Sequence, residues 1–404
     1  MTADIRNTVH AVEAATVMGL LAGRPRLLAL GEPTHGQDAL LDLRNELFRQ
    51  LVEQEGYRTI AIESDCVKGL AVDAYVTSGA GTLDEVMAHG FSHGWGAFAA
   101  NRELVSWMRA HNEGRPASER LRFAGFDGPL EITGAESPRK ALTALHDYLS
   151  AWVDADLLPC TGETLDRLLG ADDRWTDPAA MTDPARSVGR SAEAARLRLL
   201  TDDLVALLDA WTPHLITAIP QEDRDRAHLY ARTATGLLRY HHWMADTSPA
   251  RMTRLVTVRD QMMAHNLLAV AARGPALVHA HNSHLQREKS TMRMGGVPLE
   301  WWGAGALVSA RLGDDYAFVG IALGTIRHQG VDTPQPDTVE GHLYAIPEDR
   351  CLVDASRLAA VLGDTRLAHR VSPWYGYAPL DPAHLEDSDG LVFVKDVPRS
   401  RAGG

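Results

Sequence analysis

Arg26-Leu27-Leu28-Ala29-Leu30-Gly31 is a short apolar run ending in glycine, and Glu32-Pro33-Thr34-His35-Gly36 follows it directly. The run reads as a buried strand that delivers a polar loop to the strand's carboxyl end. From Asp38 to Gly56 the residues Leu40, Leu41, Leu43, Leu47, Phe48, Leu51 and Val52 recur at helical spacing. Asp38 is placed to cap the start of that helix and Gly56 to end it. Tyr57-Arg58-Thr59-Ile60-Ala61-Ile62-Glu63 then reads as a second strand. A strand–helix–strand unit implies parallel strands and a right-handed crossover. Direct pairing of the two strands would set Glu63 beside Glu32 and His35.

Outward from this unit, Leu121 to Asp127 reads as a third strand ending in an acid. Ala276–His279, Tyr316–Ala322 and Gly390–Asp396 are later strands, the last dense enough to be central. From about Pro138 to Ala272 the texture is helical. Ser137-Pro138 has the serine cap and first-turn proline of a helix start. Leu197, Leu200, Leu204, Leu207 and Leu208 trace one apolar face, and Tyr230, Leu237, Leu238 and Tyr240 continue it. The expected fold is α/β, with a mostly parallel central sheet, flanking helices and an inserted helical lobe forming one wall of a cleft. Residues 1–131 and 273–404 would form the α/β core and 132–272 the lobe, all in one domain. Residues 400–404 read as a tail.

Composition narrows the function classes. A formal net charge of −13 is the opposite of the basic stripe that a nucleic-acid binder carries. Cys66, Cys160 and Cys351 are far apart and odd in number, which reads as a reducing, cytoplasmic compartment without a disulfide framework. Asp4 and Glu13 interrupt the N-terminus, so no signal peptide is expected there. No apolar stretch is long enough for a membrane-spanning helix. The expected partner is a small molecule, and oligomeric state is not legible.

Several familiar motifs are missing: a G-x-S-x-G elbow, a phosphate-binding G-x-x-x-x-G-K-[ST] loop and an H-E-x-x-H helix. Ser137-Pro138-Arg139-Lys140 matches S-x-x-K only formally, and Gly303-Ala304-Gly305 lacks the third glycine of a dinucleotide loop. What is present is a cluster. Glu32 and His35 follow the first strand, Glu63 and Asp65 end the second, and Asp127 ends the third. In open α/β sheets ligands bind at such strand ends. A histidine there is suited to general-base chemistry, with a carboxylate to orient it. Taken singly, a loop histidine is as readily a turn residue, and Thr34 and Asp38 as readily helix caps. His279-Ala280-His281-Asn282-Ser283-His284 changes that balance, because three imidazoles at one strand end each need hydrogen-bond partners. Arg44, on the first helix, is suited to holding a carboxylate, although spacing alone favours a solvated arginine. Zinc is the rival use of these side chains, but the spacing fits no standard signature, so no metal or other cofactor is expected.

These residues resemble the erythromycin esterase-like family. The resemblance rests on Gly31-Glu32-Pro33-Thr34-His35-Gly36, Ile60-Ala61-Ile62-Glu63-Ser64-Asp65, Gly125-Phe126-Asp127, Arg259-Asp260-Gln261-Met262-Met263-Ala264 and His281-Asn282-Ser283-His284, in order along nearly the whole chain. It implies that His35 activates water against an ester or lactone without a metal. It groups Glu32 and Glu63 around His35, and assigns supporting roles to Arg44, His281 and His284. Two departures stand out. His265 occupies a position where the family often has a carboxylate, and Gly94-Trp95-Gly96 only loosely echoes the family's aromatic segment, so Trp95 is a candidate pocket residue.

The resulting expectation is a hydrolase acting on an ester or lactone of a bulky natural product. Two rivals remain. One is a tailoring enzyme of secondary metabolism using the same site for acyl transfer, cyclisation or elimination. The other is a non-catalytic small-molecule binding protein.

Overall fold

The computed structural model describes all residues except 1, 132, 133, 295, 364, 373, 375 and 400–404, so the expected tail at 400–404 lies outside the described residues. Eight strands form one sheet: β1 (Val9–His10), β2 (Leu27–Glu32), β3 (Thr59–Asp65), β4 (Arg122–Asp127), β5 (Ala276–His281), β6 (Tyr316–Thr325), β7 (Arg350–Val353) and β8 (Gly390–Asp396). Their order is β1-β7-β8-β6-β2-β5-β3-β4. β2 is parallel to β5 and β6, β3 to β5, and β6 to β8, whereas β7 is antiparallel to β1 and β8. The mostly parallel α/β sheet expected from the sequence is therefore present. Every residue of β2 and β6 is buried, as a parallel sheet covered on both faces requires.

One expectation fails. β2 and β3 are not paired, because β5 lies between them. A crossover fixes direction and handedness but not adjacency, and a strand from much later in the chain fills the gap. The consequence is functional. The chain leaves β2 for β3 on one side and leaves β5 for β6 on the other. The carboxyl ends of β2 and β5 therefore flank a topological switch point, where open α/β sheets bind ligands.

The chain divides into two compact units, Met1–Glu63, Gly69–Gly125 and Leu267–Gly404 forming the first and Ser64–Lys68 and Phe126–Asn266 the second. In the first, helix α1 (Asp38–Gln54) packs Leu40, Leu41, Leu47, Phe48 and Leu51 into a core with Leu28, Leu30, Ile62, Leu277 and Ile321 of the sheet. Asp38 does not cap α1. The cap position is Gln37, without a side-chain cap bond, and Asp38 lies in the first turn.

The second unit is helical. Its longest helices are α2 (Ala192–Ala218), α3 (Gln221–Met244) and most of α4 (Arg251–Ala271). Leu197 and Leu200 of α2 pack with Leu142 and Leu238, and Leu204 and Leu208 with Leu145 and Ala231. Leu207 is only partly buried there. The Ser137-Pro138 start is displaced by one residue: the helix covers Arg139–Ser150, and Pro138 itself is the cap residue. No helix among the described residues is long and apolar enough to cross a membrane.

The C-terminal segment of the first unit is fastened by a buried arginine. Arg370, 5% exposed, donates to the carbonyls of Leu323, Gly324 and Asp332 and to the Tyr377 hydroxyl. Tyr377 donates onward to Glu340 at 3.1 Å. Beyond it, Ala378 N–H donates to Pro33 O at 2.8 Å, tying this segment to the Glu32–His35 loop. Arg370→Leu leaves these acceptors without their donor, so a loss of about 2–3 kcal/mol is expected. A urea titration followed by circular dichroism measures it, and an unchanged midpoint would contradict the role.

Candidate active site

The site begins with a close backbone approach. A Cβ at Gly31, one residue before the end of β2, would lie 2.1 Å from Asn282 Oδ1, so any larger residue there would displace that side chain. Asn282 uses that space to pair with β6, its Nδ2 donating to Ile321 O at 2.8 Å and its Oδ1 accepting from Ile321 N at 3.3 Å. The asparagine of the His-Asn-Ser-His segment thus works as a brace. It fixes the turn after β5 against the sheet. Gly36, at φ +76°, turns the loop after His35 in the left-handed region.

Glu32 is fully buried, and its Oε1 lies 2.8 Å from His35 Nδ1. Burial favours the acid form of Glu32. The charges of His279 and His35, and hydrogen bonds from them, outweigh it and hold its pKa down at about 2. An ionised carboxylate only accepts, so His35 Nδ1 carries a hydrogen, and when the ring is neutral Nε2 is the atom with the lone pair. The His35 side chain is 48% exposed, which gives that lone pair access to a ligand. Trp95 stands edge-on to the His35 ring at 5.3 Å, and His281 lies at the same centroid distance on another side.

β3 and β5 pair only as far as Ile62 and His279, whereas β2 and β5 continue to Glu32 and His281. Where β3 and β5 part, the Glu63 side chain takes over. Its Oε2 accepts the His281 backbone N–H at 2.9 Å and lies 3.9 Å from His35 Nε2, while its Oε1 lies 3.4 Å from His284 Nε2. His281 Nδ1 accepts from Ser283 N–H at 3.2 Å and lies 2.7 Å from Ser283 Oγ. An amide N–H can only donate, so Nδ1 is unprotonated and the ring hydrogen sits on Nε2. Burial first, and then the charge of His35, push the His281 pKa down, which keeps the ring neutral. Neutral His281 is therefore a hydrogen-bond donor at neutral pH. A cavity of about 110 Å³ opens beside His281 and Ser283, with Arg287, Phe318 and Pro379 among its walls.

Arg44 is not solvated. It is 0% exposed, and it donates to Asn45 Oδ1 at 2.7 Å and to Asn101 Oδ1 at 2.7 Å. Burial lowers its pKa to about 10, against the raising effect of Glu32 and Asp42, so it stays cationic. Asn101 in turn donates to Trp95 O at 2.9 Å. One chain of bonds thus runs from α1 to the residue that flanks His35.

The structure brings Glu32, His35, Arg44, Glu63, Trp95, His281 and His284 together in the first unit. Asp65, Asp127, Arg259 and His265 belong to the second. Asp127 accepts from Arg259 Nη2 at 2.8 Å, and Asp65 accepts from Val67 N–H and Lys68 N–H at 2.7 and 3.0 Å. Burial raises the Asp65 pKa, and those N–H groups oppose it. His265 lines a cavity of about 310 Å³ with His228, Arg232 and Arg239. Among the described residues no group of three or more His, Cys, Asp or Glu side chains is arranged to hold a metal. Sequence reasoning counted His279 among the three imidazoles of its segment but gave it no role, although its Nε2 lies 3.3 Å from Glu32 Oε2, and it passed over Asn101. The period-two alternation of β5, which puts His279 on the same face as His281, was the signal for the first. Nothing local marked the second.

The sequence matches the family model described as Erythromycin esterase over residues 52–397. It is 25% identical over 332 residues to erythromycin esterase type II of Escherichia coli, covering 80% of this chain and 74% of that protein. Three solved structures share the fold. A Bacillus cereus protein superposes with a TM-score of 0.72 at 15% identity, covering 100% of this chain and 98% of its own. A succinoglycan biosynthesis protein gives 0.69 at 16%, covering 99% and 97%. A mutant erythromycin esterase in its open conformation gives 0.67 at 18%, covering 96% and 95%.

Proposed function

The chain belongs to the erythromycin esterase family, and from that premise we propose that this esterase-type hydrolase uses His35 to activate water against an ester or lactone of a bulky natural product. The Glu32–His35 contact carries the reading. Glu32 fixes the tautomer in which Nε2 is the base, and it stabilises the imidazolium formed when Nε2 takes the water's proton. The resulting hydroxide adds to the carbonyl carbon. Neutral His281, with its hydrogen on Nε2, donates to the developing oxyanion. Collapse of the tetrahedral intermediate breaks the carbon–oxygen bond to the leaving alkoxide, and the His35 proton passes to that oxygen. Glu63 holds His281 and His284 in place from the β3 side.

The substrate is proposed to be a macrolide-type lactone or a comparable bulky ester. A mass-spectrometric screen of macrolides and other lactones, with and without chelator, tests the reaction. The expected product is the substrate plus one water, at the same rate in chelator. Tight binding of compounds recovered unchanged would replace hydrolysis with sequestration, and a rate lost to chelator and restored by metal would replace the metal-free route.

A further inference from the structure

Three helices of the second unit line a cavity of about 310 Å³, inside the range of small-molecule sites, roughly 300–1,000 Å³. The helix period explains which side chains meet there. On α3, His228, Arg232, Thr235 and Arg239 follow one another at steps of three or four, so one face of the helix carries them all. On α4, Val258, Met262 and His265 do the same. α2 adds Val205 and Asp209. A glycine inside α3 lets the two later helices come close, at a position where glycine weakens a helix. A Cβ at Gly236 would lie 2.5 Å from Met262 Cγ and Sδ, so the Met262 side chain rests directly on the α3 backbone. Met262, Val205 and Val258 make the apolar part of the lining.

The polar part is cationic. Arg232 Nε donates to Asn266 Oδ1 at 3.1 Å, and Asn266 Nδ2 donates to Phe126 O at 3.0 Å, so the Arg232 guanidinium is anchored in the wall. Arg239 adds a second guanidinium, and Asp209 is the carboxylate among the lining residues. Two arginines therefore face one aspartate, in a chain whose formal net charge is −13. Burial first, and then Arg232, lower the His228 pKa against Asp209 and Asp225, so that ring is neutral at pH 7 and the arginines carry the charge. We propose that this cavity binds a small carboxylate with an apolar body, its head between Arg232 and Arg239 and its body against Val205, Val258 and Met262. A monoanion matches the single positive charge in excess, and a guanidinium takes both oxygens of a carboxylate at once.

This site does not depend on the hydrolase reading, since none of Glu32, His35, Glu63 and His281 lines the cavity. The test uses the full-length protein labelled with carbon-13 at its methionine methyl groups. The Met262 signal is assigned by its loss in Met262→Leu, a volume-conserving change. Octanoate is the ligand added, with octanol and octylamine as the uncharged and cationic controls. The Met262 signal is expected to move saturably with octanoate, reaching half-saturation below about 10 mM, and to stay in place with either control. Arg239 is exposed, so Arg239→Gln keeps the fold. That variant is expected to raise the half-saturating concentration about tenfold, the loss of a charge-assisted hydrogen bond to the head. A Met262 signal that does not move with octanoate, that moves as far with octanol or octylamine, or that titrates in Arg239→Gln as it does in the parent overturns the proposal.

Discussion

Replacing His35 by alanine lowers kcat on a hydrolysed ester by roughly 10²–10⁴-fold, the usual contribution of a positioned general base. Little stability should go with it. The side chain is 48% exposed, so its removal opens no closed cavity. Glu32 keeps His279 at 3.3 Å and the charge of Arg44, so the carboxylate does not become an isolated buried anion. The decisive comparison is therefore kcat against the thermal midpoint. A large loss of rate with a midpoint near the parent's is the signature of a lost base. A large loss of both would instead make His35 a structural anchor for its loop. Full turnover in the alanine variant would leave Glu63, 3.9 Å from His35 Nε2, as the group to consider next.

The expected pH dependence follows from the same geometry. Glu32 is held down at about 2, so it stays ionised across the working range and contributes no limb of its own to the rate profile. The acidic limb belongs to protonation of the imidazole that acts as base.

How far the sequence reached depends on range. β2, α1 and β3 were legible because their signals are local: continuous apolar runs for buried strands and a 3.6-residue period for the helix. The order of strands was not legible, because nothing in residues 26–63 records that residues 276–281 will lie between them. Arg44 was read as suited to holding a carboxylate, but its spacing was taken to favour a solvated side chain. That reading of the spacing was wrong, because Arg44 follows Leu41 by three and precedes Leu47 by three on the buried face of α1. Position on the stripe was the better guide. The Glu32, His35, Glu63, His281 and His284 group was legible as a set of strand ends, since parallel strands present their carboxyl ends on one side. The tautomers were not, because they depend on which backbone groups each ring meets.

Arg44 yields the second large effect, and it is one of stability. Arg44→Met is expected to destabilise the protein by about 3–5 kcal/mol, the cost of breaking a buried charge network by removing one partner. Methionine roughly fills the aliphatic volume, so the loss reports mainly on the guanidinium. Asn45 Oδ1 and Asn101 Oδ1 lose their donor, and the Glu32 anion loses its nearby guanidinium charge. A solvated helix arginine would change stability by no more than about 0.5 kcal/mol, so the two readings are well separated in a urea titration. A second substitution assigns the cause. If the charge of Glu32 drives the loss, Glu32→Gln costs less in the Arg44→Met background than in the parent, and the double-mutant cycle gives a favourable coupling for the pair. If the two costs simply add, Arg44 acts through Asn45 and Asn101 alone. Acid gives an independent check whose sign is fixed. The folded-state pKa of Glu32 is depressed, so its contribution is present above the unfolded value of about 4.3 and fades as pH falls toward about 2. In Arg44→Met the carboxylate protonates more readily. The gap between variant and parent should therefore be widest near neutrality and narrow as pH falls below about 4, whereas a loss of packing alone would leave the gap unchanged with pH.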